Sequence, residues 1–394
     1  MLPAARLQAA IELLDEIIAA ARDGGAAADT LIQRYFRTRR YAGSKDRRAV
    51  RDLVYRAIRG FGEAPASGRA AMIGLTAEDP ELLPLFDGSP HGPEPIGEGE
   101  AGASATPLPA WLRTRFASTV DDTDIASLSG RAPLDIRVNL SRTTREEVLA
   151  AIPDAEPGRL SASSVRLPDG FRIEDHALWH EGHVDIQDEG SQLLVDAADP
   201  RAGTTIVDLC AGAGGKTLAL WDRTGGKARI VACDTDRARL SRLAPRAARS
   251  GFTDIETRLL DPGKEAAALG DLDRGADLLF VDAPCSGTGT WRRNPEARWR
   301  LTDKRIAGFV AAQHHILEFA APLVAPGGIL LYAVCSLLAA EGEDQIANFL
   351  TSRSDFRKVD CDTIGGVASG QGYLLTPARH GTDGFFFARL ERSC

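Results

Sequence analysis

Two short stretches of this chain hold residues that could do covalent chemistry. Phe280 to Gly289 reads F-V-D-A-P-C-S-G-T-G, and Tyr332 to Ser336 reads Y-A-V-C-S. Each is an apolar run ending in a cysteine followed by a serine, the pattern of a buried strand that stops where a site can begin. In open parallel α/β sheets, ligands bind beyond the carboxyl ends of the strands. Both thiols are therefore expected to face one pocket. One such cysteine reads most simply as a small buried hydrophobe; two in matched settings point to reactivity. A thiolate can add to C6 of a pyrimidine and make C5 nucleophilic. C5 then takes a methyl group and loses its proton as the sulfur leaves. That route needs a nucleophilic cysteine, an acid near N3 and a helper for the elimination. Asp282, Cys285 and Cys335 supply these types. A free thiol has a pKa of roughly 8.5, so the site must activate its nucleophile.

Residues 207–217 read V-D-L-C-A-G-A-G-G-K-T. Gly212, Gly214 and Gly215 let the backbone turn tightly and approach a ligand at the N-terminus of a following helix. About twenty residues on, Asp234 ends the next strand, placed to bond a ribose diol. Loop and acid together suit an adenosine-containing cofactor. Lys216-Thr217 suggests a phosphate loop, but the G-x-x-x-x-G-K-[ST] spacing fails because position 210 is Cys. Asp261, after the third strand, is placed for an adenine amine.

The elements that must hold these residues alternate from about residue 190 onward. Strand patterns at Thr205–Leu209, Arg229–Cys233, Ile255–Leu259, Asp277–Val281 and Ile329–Val334 are separated by helical stretches such as Lys304–Leu323. Such alternation predicts an α/β domain with a mostly parallel, doubly wound sheet over 188–394. The closing D-G-F-F-F-A-R-L adds a final strand, antiparallel in such a sheet. Before it, residues 108–187 read as a small α+β piece, with strands at Leu134–Asn139 and His183–Gln187. Residues 87–107 are rich in Gly, Pro and acid and read as an acidic linker.

The first 86 residues read as all-helical. Leu7, Ile11, Leu14 and Ile18 fall at helical spacing over 5–21; Leu31, Ile32, Tyr35 and Phe36 mark a second helix. Ser44 is the expected cap of a third, whose inner face is Val50, Leu53, Val54 and Ile58. The formal net charge of the chain is −8, yet Arg34 to Arg59 holds ten Arg/Lys against two acids. Arg37, Arg39, Arg40, Lys45, Arg47 and Arg48, interleaved with tyrosines, suit phosphate contact and base stacking. W-R-R-N-P-E-A-R-W-R, just after Gly289, suits an RNA strand at the pocket mouth through Arg292 and Arg293; its plainer reading is a surface turn with a buried Trp.

No run of about 18 apolar residues suggests a membrane span, and the first residues lack the pattern of a secretory signal. Six cysteines without a CxxC pair indicate neither a disulfide framework nor a metal site. A cytoplasmic monomer is the expectation.

These motifs resemble the RsmB/NOP2/Sun family of S-adenosylmethionine-dependent RNA cytosine-C5 methyltransferases. The resemblance rests on D-L-C-A-x-x-G-G-K-T, D-A-P-C-S-G-T-G, R-R-N-P-E-A-R-W, Y-x-x-C-S with Glu341-Gly342-Glu343, and the D-G-F-F-F-A-R-L end. I-Q-D-E-G-S-Q belongs to it too, and more loosely R-V-N. It implies a class I methyltransferase-type (Rossmann-like) sheet, preceded by the small α+β segment. The N-terminal helices, with R-Y-A-G-S-K-D-R-R-A-V, resemble the NusB-like RNA-binding domain of the bacterial Sun/RsmB branch, which implies small-subunit ribosomal RNA as substrate. The resemblance implies Cys335 as nucleophile, Cys285 in product release and Asp282 against the base. It implies S-adenosylmethionine contacts from Cys210, Ala211, Gly212, Ala213, Gly214, Gly215, Lys216, Asp234, Asp261 and Asp282. The usual C-A-A-P-G-G-K differs here at Gly212 and Ala213, the usual T-C-S is V-C-S, and the usual E-N is Glu341-Gly342.

Other readings make distinct predictions. A DNA cytosine-C5 enzyme would attack with Cys285. A tRNA or other RNA could replace ribosomal RNA. A catalytically weak ribosome assembly factor would bind RNA without needing the cofactor. A dehydrogenase leaves two cysteines at adjacent strand ends unexplained.

Overall fold

The computed structural model describes residues 1–361 and 364–394. The chain divides into two compact units. Residues 1–116, 125–131 and 290–303 form one; residues 117–124, 132–289 and 304–394 form the other.

The first unit is built on four helices, α1 (Pro3–Asp23), α2 (Ala28–Thr38), α3 (Ser44–Gly60) and α4 (Gly68–Leu75). Proline opens α1, where its missing N–H costs nothing, and Gly24 ends it at φ 74°, a left-handed stop that suits glycine. Leu7, Ile11, Leu14 and Ile18 of α1 meet Ile32 and Phe36 of α2 and Val50, Val54 and Ile58 of α3 in one core. Ser44 is the first helical residue rather than the cap; Gly43 occupies the cap, and its N–H donates to Asp46.

The acidic 87–107 stretch differs from the expected linker. Arg69 pairs with Glu100 at 2.6 Å and donates to the carbonyls of Glu94 and Pro95. The Ala103 N–H donates to Ala70, and Gly62 and Thr106 bond through their main chains. Ile96 and Ala103 pack on the helical core. Composition alone missed this because the stretch is held by backbone bonds and one arginine, which leave little hydrophobic signal.

The second unit holds two sheets. The smaller is antiparallel: β1 (Leu134–Val138), β2 (Glu156–Pro157), β3 (Ser164–Leu167) and β4 (Val184–Ile186), in the order β2-β3-β1-β4. The larger uses β5 (Thr205–Asp208), β6 (Arg229–Asp234), β7 (Ile255–Leu259), β8 (Ala276–Asp282) and β9 (Val324–Val334). It is completed by β10 (Phe356–Lys358), β11 (Val367–Ser369), β12 (Gly372–Leu375) and β13 (Phe385–Arg392). Its order is β11-β12-β13-β9-β8-β5-β6-β7, with β10 beside β13. Strands β5 to β9 pair in parallel and β13 runs antiparallel to β9. The five parallel strands fall where the apolar runs predict, β9 starting five residues earlier. Strand β5 lies between β6 and β8, so the strand order reverses there and a crevice opens at the carboxyl ends.

The α+β segment falls in the same unit as the large sheet. Two buried carboxylates join them: Asp222 pairs with Arg137 at 2.7 Å, and Asp185 pairs with Arg246 at 2.5 Å and with Arg249 at 2.8 Å. Among the described residues no helix is long and apolar enough to cross a membrane.

Candidate active site

Strands β8 and β9 lie side by side with Asp282 opposite Ala333. One more main-chain bond, Ala283 N–H to Ala333, extends the pairing before Pro284 ends it. Each chain then turns, and the sulfurs of Cys285 and Cys335 come to 3.3 Å from one another. Both are half-buried. The Cys335 contact, then burial, then the nearby Glu341 carboxylate hold the Cys285 thiol well above its ordinary range.

A buried network sets both turns. Glu341, 0% exposed, accepts from the Ser286 N–H at 2.8 Å and from Gln313 at 3.1 Å. Its other oxygen accepts from the Ser286 hydroxyl and from the Ser336 hydroxyl at 2.5 Å. Each serine follows one of the cysteines. Thr288 accepts from the Leu337 N–H at 2.9 Å, and Gly289 donates to the Cys335 carbonyl at 3.1 Å. Gly289 is glycine for a steric reason: a Cβ there would stand 2.0 Å from the Gly384 carbonyl. The D-A-P-C-S-G-T-G run is thereby packed against the closing D-G-F-F-F strand. Sequence reasoning noted Glu341 only as part of a motif and missed Gln313; a serine after each cysteine was the available signal.

On the other side of the sulfurs, Lys216 lies 2.6 Å from Asp282. Burial alone would push the ammonium pKa down, but Asp282 and then Cys335 outweigh it and hold Lys216 above its ordinary value. A cation thus faces the cysteine end of β9 and a carboxylate the Cys285 turn.

A cavity of about 460 Å³ opens at the carboxyl ends of the parallel strands, lined by Cys210, Asp234, Asp282, Cys285 and Cys335 among others. Leu260, Phe309, Ile316 and Phe319 give it an apolar wall. Asp234 accepts from the Gly212 N–H and the Asp236 N–H, each at 2.7 Å, and each oxygen keeps a lone pair for a hydroxyl. Gly212 and Gly214 have φ of 57° and 84°, a conformation that glycine takes readily. A Cβ on Gly214 would also strike Leu243 at 2.6 Å. A second cavity of about 310 Å³ is lined by Ala211, Ala213, Gly215, Lys216, Asp188 and Arg246 among others, and shares Cys210, Asp282 and Arg239 with the first. Carboxylate, glycine turn and apolar wall fit a nucleoside-bearing cofactor. Asp261 is exposed and is not among the residues lining either cavity; Glu265 lines the first in its stead. The strand ends one residue before the acid can turn inward, which leaves Leu260 as the buried member.

Of the basic residues expected to meet RNA, Arg37, Arg40, Lys45, Arg47 and Arg48 are exposed, around a Tyr41 that is 74% exposed. Arg39 is half-buried, stacked 3.6 Å over Tyr35 and paired with Glu12 at 3.4 Å. The W-R-R-N-P-E-A-R-W-R stretch needs correction. Arg292 is only 7% exposed, and residues 290–303 complete the helical unit. Trp299 joins its core and donates to the Phe61 carbonyl at 2.8 Å. Glu296 accepts from the Ala28 N–H at the start of α2, and Arg298 caps the end of α3 through the carbonyls of Ile58 and Arg59. The aromatic and basic residues there serve packing and helix ends, and Arg293 alone of the expected pair is half-exposed.

The sequence profile of the family described as 16S rRNA methyltransferase RsmB/F matches residues 195–391. A Synechocystis sp. protein named "Probable ribosomal RNA small subunit methyltransferase B" is 34% identical over 307 residues, covering 73% of this chain and 67% of that protein. The chain spans about two thirds of the length of the curated relatives it matches. Among solved structures, the crystal structure of PH0851 has a TM-score of 0.76 at 23% identity, covering 100% of this chain and 99% of that one. NSun6 from Pyrococcus horikoshii with SFG has a TM-score of 0.63 at 17% identity, covering 72% of this chain and 97% of that one. Profile, relative and paired-cysteine site agree: the chain belongs to the RsmB/F methyltransferase family.

Proposed function

We propose that this protein methylates C5 of a cytosine in RNA, with small-subunit ribosomal RNA the substrate class that its family names support. The observation that carries the reading is the pair of sulfurs 3.3 Å apart at neighbouring strand ends, set beside the Asp282–Lys216 pair. S-adenosylmethionine, when bound, supplies an electrophilic methyl group. Asp234, the Cys210–Lys216 loop and the apolar wall would hold its nucleoside end.

The protein's own groups divide the rest of the work. Cys335, on the side of the Lys216 ammonium, attacks C6 as a thiolate, forming an S–C6 bond and pushing electron density to C5. Asp282 holds the base on its N3 side, and the Lys216 ammonium paired with it offsets that charge. Once C5 carries the methyl group, its proton must leave and the S–C6 bond must break. Cys285, kept as a thiol beside the leaving sulfur, gives its proton to the departing Cys335 sulfur and, as the thiolate so formed, takes the C5 proton, so that the C5–C6 double bond re-forms and the surplus proton is lost to solvent. The target base must be splayed out of any helix to reach this pocket.

Bisulfite mapping of cellular RNA with and without the protein tests the reading. A cytosine in small-subunit ribosomal RNA that becomes convertible when the protein is removed is expected. No change at any cytosine in ribosomal or transfer RNA would overturn it.

A further inference from the structure

Residues 237 to 249 hold five arginines, Arg237, Arg239, Arg242, Arg246 and Arg249, and no acid, in a chain of formal net charge −8. The helix Arg237–Leu240 passes to the helix Leu243–Ser250 through Ser241 and Arg242, whose backbones stay right-handed helical (φ −61°, ψ −17°; φ −78°, ψ −14°). Arg239, Arg242, Arg246 and Arg249, three or four residues apart, therefore share one face. At helical rise that face is about 15 Å long. Leu240, Leu243 and Ala247 bury the opposite side.

The arginines fall into two kinds. Arg246 and Arg249 are fixed by the single buried carboxylate of Asp185. Arg246 also donates to the Ala213 carbonyl of the cofactor loop at 2.7 Å, and Arg249 lies 3.5 Å over the Trp179 ring. Arg237, Arg239 and Arg242 are exposed, and no hydrogen bond or ion pair of their guanidinium groups is seen among the described residues. Arg239 lines both cavities and lies over Gly212, where a Cβ would approach its Nη2 to 2.5 Å. Like charges at such spacing destabilise a helix by themselves. Among the described residues Asp185 is the one carboxylate paired with any of the five guanidiniums, and the face ends at the mouth of the catalytic cavities.

We infer that this arginine face is the track on which the phosphates flanking the target cytosine lie, so that the RNA strand reaches the cysteines along the Arg237–Arg249 helices. A polyanion supplies the missing counter-charge, and guanidinium forks match phosphate oxygens. The inference rests on the RNA-methylating reading above. Anchored Arg246 and Arg249 give the track a fixed direction, and exposed Arg239 and Arg242 offer their guanidinium groups to the strand. The sequence signal is the acid-free run itself.

The test compares the wild type with an Arg242→Gln variant, since that side chain lies on the face, is exposed and lines neither cavity. Binding of a fluorescent oligocytidylate is titrated at several KCl concentrations, and methyl transfer to small-subunit rRNA transcribed in vitro is followed alongside. The lost phosphate contact should flatten the plot of log K against log salt by about 0.7 on a single strand. KM for RNA should rise while kcat and cofactor affinity stay at wild-type values. A variant with the wild-type salt slope and KM overturns the track while leaving the methylation reading intact. A wild type that binds and methylates no RNA overturns both.

Discussion

Cys285 and Cys335 leave neighbouring strands 50 residues apart in sequence and meet with 3.3 Å between their sulfurs. Read alone, Cys285 in its D-A-P-C turn is the natural choice of nucleophile. The structure separates the two by their surroundings. Cys285 shares its side of the site with the Glu341 carboxylate, which favours a thiol, whereas Cys335 faces the Lys216 ammonium. In the proposed mechanism this difference gives the attack to Cys335 and the release to Cys285.

Glu341 is predicted to position both sulfurs. In Glu341→Gln the Ser286 and Ser336 hydroxyls lose a charged acceptor, and the amide's N–H groups meet donors. Stability should fall by about 1–3 kcal/mol. The turns should loosen enough to lower kcat by about tenfold or more, with cofactor affinity little changed. Calorimetry of cofactor binding and single-turnover methyl transfer check this; a variant with wild-type kcat would show that the network is not needed for alignment.

Asp208 sits at the end of β5 with its side chain buried and one oxygen bonded to Thr217 at 2.6 Å. Burial pushes its pKa up from 3.8 to about 7. A carboxyl raised in the folded state gives stability that is fully present below the unfolded pKa and is lost as pH rises through the folded one. Against Asp208→Asn, the wild type should therefore lose stability between about pH 4 and pH 7, on the order of 3–4 kcal/mol at roughly 1.4 kcal/mol per unit. Urea unfolding across that range measures it. Parallel curves for the two proteins would contradict the shift.

Arg298 is buried and donates to the carbonyls of Ile58, Arg59 and Pro107. Arg298→Ala should destabilise the helical unit by about 2–4 kcal/mol, because those carbonyls lose their donors. Arg298→Lys should recover only part, since one ammonium cannot reproduce a guanidinium fork. Hydrogen exchange of α3 reads this out, with faster exchange at its C-terminal end expected in both variants.

Residue types and spacing exposed the parallel strands well, because a buried strand must be an apolar run and β5 to β9 are such runs. They also marked Asp282, Cys285, Cys335 and the glycine turn, each required by local geometry or by the chemistry. What they hid is long-range. Nothing local distinguishes Arg298 and Trp299 in the core of a helical unit more than 200 residues upstream from the same residues facing a nucleic acid. Nor does composition show that Glu341 reaches back to Ser286. The acid-free arginine run at 237–249 is plain in the sequence, but its approach to the cavities through Arg239 and Arg246 is not.

The assignment of Cys335 as nucleophile is tested most directly by trapping. Cys285→Ala, Cys335→Ser and the double variant are incubated with small-subunit rRNA and S-adenosylmethionine and run on a denaturing gel. The account predicts a slow-migrating protein–RNA adduct with Cys285→Ala, and none with Cys335→Ser or the double variant. A persistent adduct or full methyl transfer with Cys335→Ser would contradict it.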